Sequence, residues 1–385
     1  MMEEVRDGSV LSVQTDGIKV TEVVKEGDNL TFIIISQKLS GTGEYHVART
    51  YDDFDWLQQH LFSQEEVPGI QGVIFPPLPA KAQVNASAKV IKQLGILALG
   101  DFKPYGAALE RFLQQVASHS VLSKNKAVED FLTSSEPPGR QKSKKNIFNR
   151  LSQAVEGMRK EGHKDVEDFF QNERDLNHSL TNSSKLAAEK FLDVVQTEQK
   201  ISVACVHFSS ALQMCVESGE EPQKQAFTRV CKNLSEVFNS LGKHMSSVAE
   251  NNMNTLGLGL DLESRYQDAE KEMLFRRTCK LVELETAKKN ADRAKPVKKP
   301  QMEEVKKAAE TEFSQISAVA KQEIRHFKQA RVQLLQQLWF CGVRNNWSLP
   351  GNTPTSSTCT WRRSEPWPSP DKSSSQSSCN VFSLV

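Results

Sequence analysis

Residues 48–61, ARTYDDFDWLQQHL, and the run at 75–79, FPPLP, decide the fold of this chain. Arg49 and Thr50 close a β-rich stretch, and Phe54, Trp56, Leu57 and Leu61 then recur at a spacing that gathers them on one side of a helix. Each proline of the later run fixes its own φ and biases the residue before it toward extended geometry, so the loop is stiff. Strand, helix and rigid loop in close succession form a corner.

Upstream of the corner, residues 18–24 alternate loosely between apolar and polar, and Gly27-Asp28-Asn29 supplies a turn. Residues 30–35, LTFIII, are β-rich, and Gly41-Thr42-Gly43 makes a second turn before 45–49. Downstream, Leu109, Phe112, Leu113 and Val116 form one helical stripe, and Val128, Phe131 and Leu132 form another. The breakers Ser134-Ser135-Glu136-Pro137-Pro138-Gly139 end this first domain. A basic stretch with Arg140, Lys142, Lys144 and Lys145 leads into Ile147, Phe148, Leu151, Val155 and Met158, which share one helical face flanked by Arg150, Arg159 and Lys160. That is the pattern of a helix lying in a membrane interface. A linker helix docked on protein gives the same pattern.

From 164 to 338 the prolines fall where helices would end, at Pro222, Pro296 and Pro300, and the apolar spacing alternates four and three. Ile201, Cys205, Phe208, Leu212 and Cys215 form one seam. Phe227, Val230, Leu234, Val237, Leu241, Met245 and Val248 form a second, and Phe313, Ile316, Ala320, Phe327, Leu334 and Leu338 a third. Interlocking helices need such spacing to keep one stripe facing a partner. Residues 251–260, NNMNTLGLGL, read as a kink in the second helix. Three long helices leave apolar surface over, so a dimer is expected. Four of the five tryptophans lie at 339–367 among serine, proline and cysteine without a period, which reads as a disordered tail. The layout is therefore a flexible terminus at 1–14, an α+β domain at 15–136, a basic linker at 137–163, an all-α bundle at 164–338 and a tail at 339–385.

Composition narrows the function classes. The formal net charge is +1 with 25% charged residues, so no global field draws the chain to nucleic acid, and attraction to anionic lipid has to come from local patches. The longest apolar runs fall far short of the roughly 20 residues of a membrane span, and the N-terminus lacks the basic and apolar regions of a secretory signal. Seven cysteines without a C-x-x-C pair point to a reducing, cytoplasmic setting rather than a disulfide framework. The eight histidines show no metal-ligand spacing, Gly257-Leu258-Gly259 is no dinucleotide fingerprint, and no nucleophile sits in an elbow motif. No enzyme, cofactor or metal is expected.

The corner resembles the phosphoinositide-reading part of a PX (phox-homology) domain. A PX domain followed by an amphipathic linker and a three-helix bundle is similar to the PX-BAR sorting nexins over residues 15–338. Residues 165–170, DVEDFF, and 275–278, FRRT, look like the branch containing sorting nexins five, six and thirty-two. The resemblance implies a small antiparallel sheet with helices, then a BAR-like coiled-coil bundle. It also implies an endosomal sorting adaptor in protein transport, peripheral on the early endosome membrane. Dimerisation with itself or another sorting nexin, curvature sensing and retromer-type cargo partners belong to the same implication.

In that family an arginine immediately before an aromatic residue pairs with the 3-phosphate of the lipid. Here Thr50 precedes Tyr51, and Arg49 stands one place earlier, where an extended segment turns its side chain to the other face. The family's second arginine falls at Tyr105, counted from Leu109 of the L-x-x-F-L helix. Lys81 matches the family's membrane-proximal lysine, and Tyr51 keeps the aromatic platform. The resemblance thus implies weak or altered lipid contact through Tyr51, Lys81 and Arg49, with Ile147, Phe148, Leu151, Val155 and Met158 as the membrane helix. A scaffold whose PX domain takes a partner peptide is the competing expectation.

Overall fold

The computed structural model describes residues 11–26, 29–64, 66–79, 81, 103–139, 164–216 and 221–346. Three antiparallel strands, β1 (Val13–Glu26), β2 (Asn29–Lys38) and β3 (Glu44–Thr50), lie in sequence order. The turn between β2 and β3 uses Gly41 and Gly43 at φ 78° and 88°, a region that favours glycine. Two irregularities in β1, between Val13 and Ile18 and between Val20 and Glu22, bend that strand along its partner. β1 starts earlier than the expected flexible terminus allows: Leu11 and Val13 are buried, and Ser12 N–H donates to Glu129 at 3.0 Å.

Helix α1 (Tyr51–Phe62) follows β3 without a break. Its start is held by Asp53, whose carboxylate accepts the Thr50 N–H at 2.8 Å, as in a capping box. Phe54, Leu57 and Leu61 then enter the core. A 3-10 turn at Ile70–Gly72, α2 (Lys103–Ser118) and α3 (Lys126–Thr133) complete this part. Phe54 is the centre of an aromatic cluster, edge-on to Phe32, Phe112 and Phe131 at 5.1–6.2 Å.

Four longer helices follow: α4 (Asp168–Met214), α5 (Pro222–Asn252), α6 (Leu258–Arg293) and α7 (Lys299–Asn346). Pro222 sits at the start of α5, where its missing N–H costs nothing. The expected kink at 251–260 is instead a π-helical turn at Met253–Gly257, which joins α5 to α6 without breaking the rod. The third helix also runs past the expected stop at Leu338 to Asn346. The extension is tied back to the bundle at Gly342, whose carbonyl accepts from Asn251 at 3.3 Å. No helix is long and apolar enough to cross a membrane among the described residues.

The seams separate into two kinds. Ile316, Ala320, Leu334 and Leu338 of the third are buried, as its period requires. Ile201, Phe208, Phe227, Val230, Leu234, Val237 and Leu241 of the first two are exposed in the single chain. The helices form as the period predicts, but these stripes find no cover among the described residues.

Candidate functional site

Strand register directs Arg49 inward. Residues of β3 alternate, so Val47 and Arg49 face the core, and Arg49 lies opposite Phe32 on β2. Its guanidinium donates to the carbonyls of Ala48 at 2.9 Å and Ser134 at 2.5 Å, and lies 5.2 Å from the Phe131 ring. The Ser134 carbonyl closes α3, the end of a helix where unpaired carbonyls favour a cation. Burial lowers the Arg49 pKa, with Asp53 acting in the opposite direction. Arg49, expected as a lipid contact, is thus 1% exposed and staples β3 to α3. The one-residue offset from Tyr51 is the physical reason.

Tyr51 opens α1 and turns toward the proline loop. Its hydroxyl donates to the Pro79 carbonyl at 2.7 Å, which fixes the end of the loop against the helix. Burial pushes the phenol up to about 12, with Asp55 and Asp52 adding to the effect and Arg265 opposing it. Lys81 lies just beyond the loop: its Nζ is 5.9 Å from the Tyr51 ring and pairs with Asp52 at 2.5 Å. About half of each side chain of that pair is exposed, so solvent screens it and it is readily exchanged. Asp52 went unread in the sequence. An acid in the first turn of α1, beside Tyr51, was the signal available for it.

Tyr105 fills the interior behind Tyr51. It is fully buried, stacks on Phe32 at 5.5 Å and 21°, and lies 6.2 Å from the Tyr51 ring. The structure therefore brings Tyr51 and Lys81 together at the loop and separates Arg49 from them. Ile147, Phe148, Leu151, Val155 and Met158 lie outside the described residues. A concave region of about 1140 Å³ elsewhere on the first domain, lined by Trp56, His60, Val67, Leu122 and Phe131 among others, includes neither Tyr51 nor Lys81.

The bundle carries a second constellation that sequence reading could not assemble. Arg277 of α6 is 1% exposed and donates to Asp165 at 2.6 Å, Glu167 at 3.0 Å and Ser317 at 3.0 Å, with Phe170 and Phe313 stacked against it. Arg174 also pairs with Asp165, and Lys321 with Glu167. Further along, Asn177 donates to Glu270 at 3.0 Å, and Arg331 pairs with Glu263 at 2.6 Å. Burial raises both of these carboxyls above the ordinary range. Such a network sets which helices face one another and in what register.

Beyond it, α4 and α5 approach closely as an arm. Ser209 and Ser235 exchange hydrogen bonds with each other's carbonyls at 2.8 and 3.0 Å, and Ser202 donates to the Gly242 carbonyl at 2.7 Å. α7 meets α5 near its C-terminal end, at Asn251. The outer face of the arm stays apolar and open: Phe208 is 48% and Val237 60% exposed. Exposed apolar surface of this kind is what interaction faces present.

Residues 37–135 match the PX domain family. The chain is 27% identical to sorting nexin-6 of Homo sapiens over 380 residues, covering 86% of this chain and 91% of that protein. Sorting nexin-32 of Homo sapiens is 27% identical over 356 residues, covering 82% of this chain and 84% of its own. The cryo-EM structure of the SNX-BAR Mvp1 tetramer superposes with a TM-score of 0.48 at 15% identity, covering 86% of this chain and 96% of that one.

Proposed function

We propose that this chain, a PX-BAR sorting nexin by its PX domain, its long-helix bundle and its homology to sorting nexins 6 and 32, acts as a non-enzymatic adaptor in endosomal sorting. It attaches peripherally to phosphoinositide-containing early endosome membrane through the Tyr51–Lys81 corner. It dimerises, with itself or another sorting nexin, through the open face of α4 and α5. Retromer-type cargo machinery is the partner class that fits such an adaptor. The apolar residues Ile147, Phe148, Leu151, Val155 and Met158, with their flanking cations, supply a further membrane contact by their sequence pattern. Binding is then the sum of weak contacts from two chains, so avidity takes the place of one strong site.

The observation that carries the lipid reading is the position of Lys81. Its ammonium lies at the mouth of the proline loop, over the aromatic platform, and is exposed enough to exchange Asp52 for a phosphate. With Arg49 turned inward and Tyr105 in the interior, one cation replaces two arginine forks, and a single point charge gives weaker, less selective pairing than a guanidinium fork. Co-sedimentation with vesicles across a phosphoinositide panel tests this. Lys81→Ala is expected to lower phosphoinositide-dependent binding about three- to tenfold, corresponding to roughly 1 kcal/mol for one interfacial cation. Unchanged binding to every phosphoinositide removes Lys81 from the site. The buried Tyr105 favours a second reading, in which the PX domain recruits a partner peptide and hardly touches lipid; wild type that ignores phosphoinositides in the same panel selects it.

A further inference from the structure

The motif Phe275-Arg276-Arg277-Thr278 places two guanidiniums side by side on α6, yet they reach different parts of the chain. Arg277 holds Asp165 and Glu167 at the entry to α4. Arg276 reaches into the PX domain. Its Nε donates to the Gln71 carbonyl at 3.2 Å and its Nη2 to the Val73 carbonyl at 2.6 Å. Its guanidinium lies 5.5 Å from the Phe62 ring and 5.2 Å from the Phe75 ring. It is 6% exposed, and burial lowers its pKa to about 10 against the pull of Glu272.

The same short segment is gripped from α7. Glu323 accepts the Ile74 N–H at 3.2 Å and faces His119 Nε2 at 3.3 Å. Two glycines permit the approach. A Cβ on Gly72 would lie 2.5 Å from the Ile316 carbonyl oxygen, and one on Gly69, which sits at φ 77°, would lie 2.7 Å from Val319. The gripped residues, 69–75, run directly into Pro76-Pro77-Leu78-Pro79. That run is tied to α1 by Gln58 at the Pro76 carbonyl, 2.9 Å, and by Tyr51 at the Pro79 carbonyl.

We propose that Arg276 is a positioning residue for the lipid-facing corner: the bundle sets the root of the proline loop, and so sets how Tyr51 and Lys81 meet a phosphoinositide headgroup. The inference rests on the lipid reading above. Three prolines between the root and Lys81 leave few soft dihedrals to absorb a shift, so displacement at Val73 is carried to Pro79. The arginine fork serves two carbonyls two residues apart, which the point charge of a lysine does not reproduce. Removing it takes the donor from the buried Val73 carbonyl and from the half-buried Gln71 carbonyl.

Two variants of the full chain test the proposal, Arg276→Ala and the wedge Gly72→Ala, which leaves every charged group in place. Hydrogen exchange is read at the amides of Val73, Ile74, Phe75 and Leu78. Binding is read on vesicles with a phosphoinositide and on phosphatidylserine vesicles of matched charge. Both variants are expected to exchange faster at those amides and to lose at least threefold in phosphoinositide binding, while phosphatidylserine binding holds. A merely structural role would lower binding to both vesicles together and would overturn the proposal. So would unchanged exchange, or faster exchange with headgroup discrimination intact. Wild type that fails to discriminate the two vesicles overturns the lipid reading and the proposal with it; discrimination kept in wild type and variants alike overturns the positioning role alone.

Discussion

Around Phe170 the bundle is charged and closed, whereas the arm between Ile201 and Leu241 is apolar and open. In the closed part a fully buried arginine is matched by Asp165 and Glu167, and the ring of Phe170 lies 3.4 Å from its guanidinium carbon. In the open part Phe208 and Phe238 pack edge-on at 4.7 Å, and small residues bring α4 against α5, but the outward stripe has no cover among the described residues. The contrast follows from the interactions used. A buried charge has few acceptable partners, so it fixes one arrangement within one chain. Apolar surface gains by leaving water against any complementary face, so it fixes no single partner.

Breaking the closed part should have the largest effect. Arg277→Ala removes a buried counter-charge from Asp165 and Glu167, which keep only Arg174 and Lys321, and loss of one partner of a buried pair costs up to about 3–5 kcal/mol. The urea midpoint of the full chain should fall accordingly. A loss below about 1 kcal/mol, the scale of a surface pair, would erase the distinction between the two parts.

In the open part the expected effect is on association. Val230→Asp with Val237→Asp places charges on the outward stripe, where more than half of each valine is exposed and monomer stability gains little from it. Sedimentation velocity should show the dimer midpoint raised at least tenfold, about 1.4 kcal/mol, with the urea midpoint of the monomer nearly unchanged. A dimer of unaltered affinity would place the interface elsewhere.

The smallest effect sharpens the comparison through pH. Burial raises the Glu270 pKa above 4.5, so the folded chain keeps this proton to higher pH than the unfolded chain does. As pH rises through 4.5 the unfolded state ionises first, and Glu270's contribution to stability falls until the raised pKa is passed. Glu270→Gln keeps a carbonyl for Asn177 and cannot titrate. Urea midpoints measured from pH 4.5 to 7 should therefore decline less steeply in the variant than in wild type. Parallel profiles would mean that Glu270 is not the titrating group.

What could be read from sequence depended on how local the cause was. The corner was legible because Thr50, Tyr51 and the prolines act through their own dihedrals and immediate neighbours. The inward turn of Arg49 follows from the same two-residue period. The third seam was legible because the burial of Ile316, Ala320 and Leu338 obeys helical spacing. Trp56 shows the limit: it shares that spacing with Leu57, yet it stacks on His60 at 5.2 Å and borders the concave region rather than filling the core. Arg277 and Asp165 stand 112 positions apart, and Arg276 and Val73 stand 203 apart. Pairings at such separations depend on how whole elements dock, which no local pattern specifies. The helix past Leu338 was missed because its composition resembles the tail, while its partner, Asn251 at the Gly342 carbonyl, lies across the bundle.

The π-helical turn at Met253–Gly257 has a consequence for azimuth. Such a turn takes in one residue more than the helix around it, so everything beyond is advanced by about 100° around the axis. The apolar stripe of α5 and that of α6 therefore do not lie on one line. Val237 and Leu241 look out from the arm, while Met273, Leu274 and Arg276 look in toward α7 and the PX domain. One unbroken rod thus carries two facings, the first open to solvent and the second turned to the rest of its own molecule.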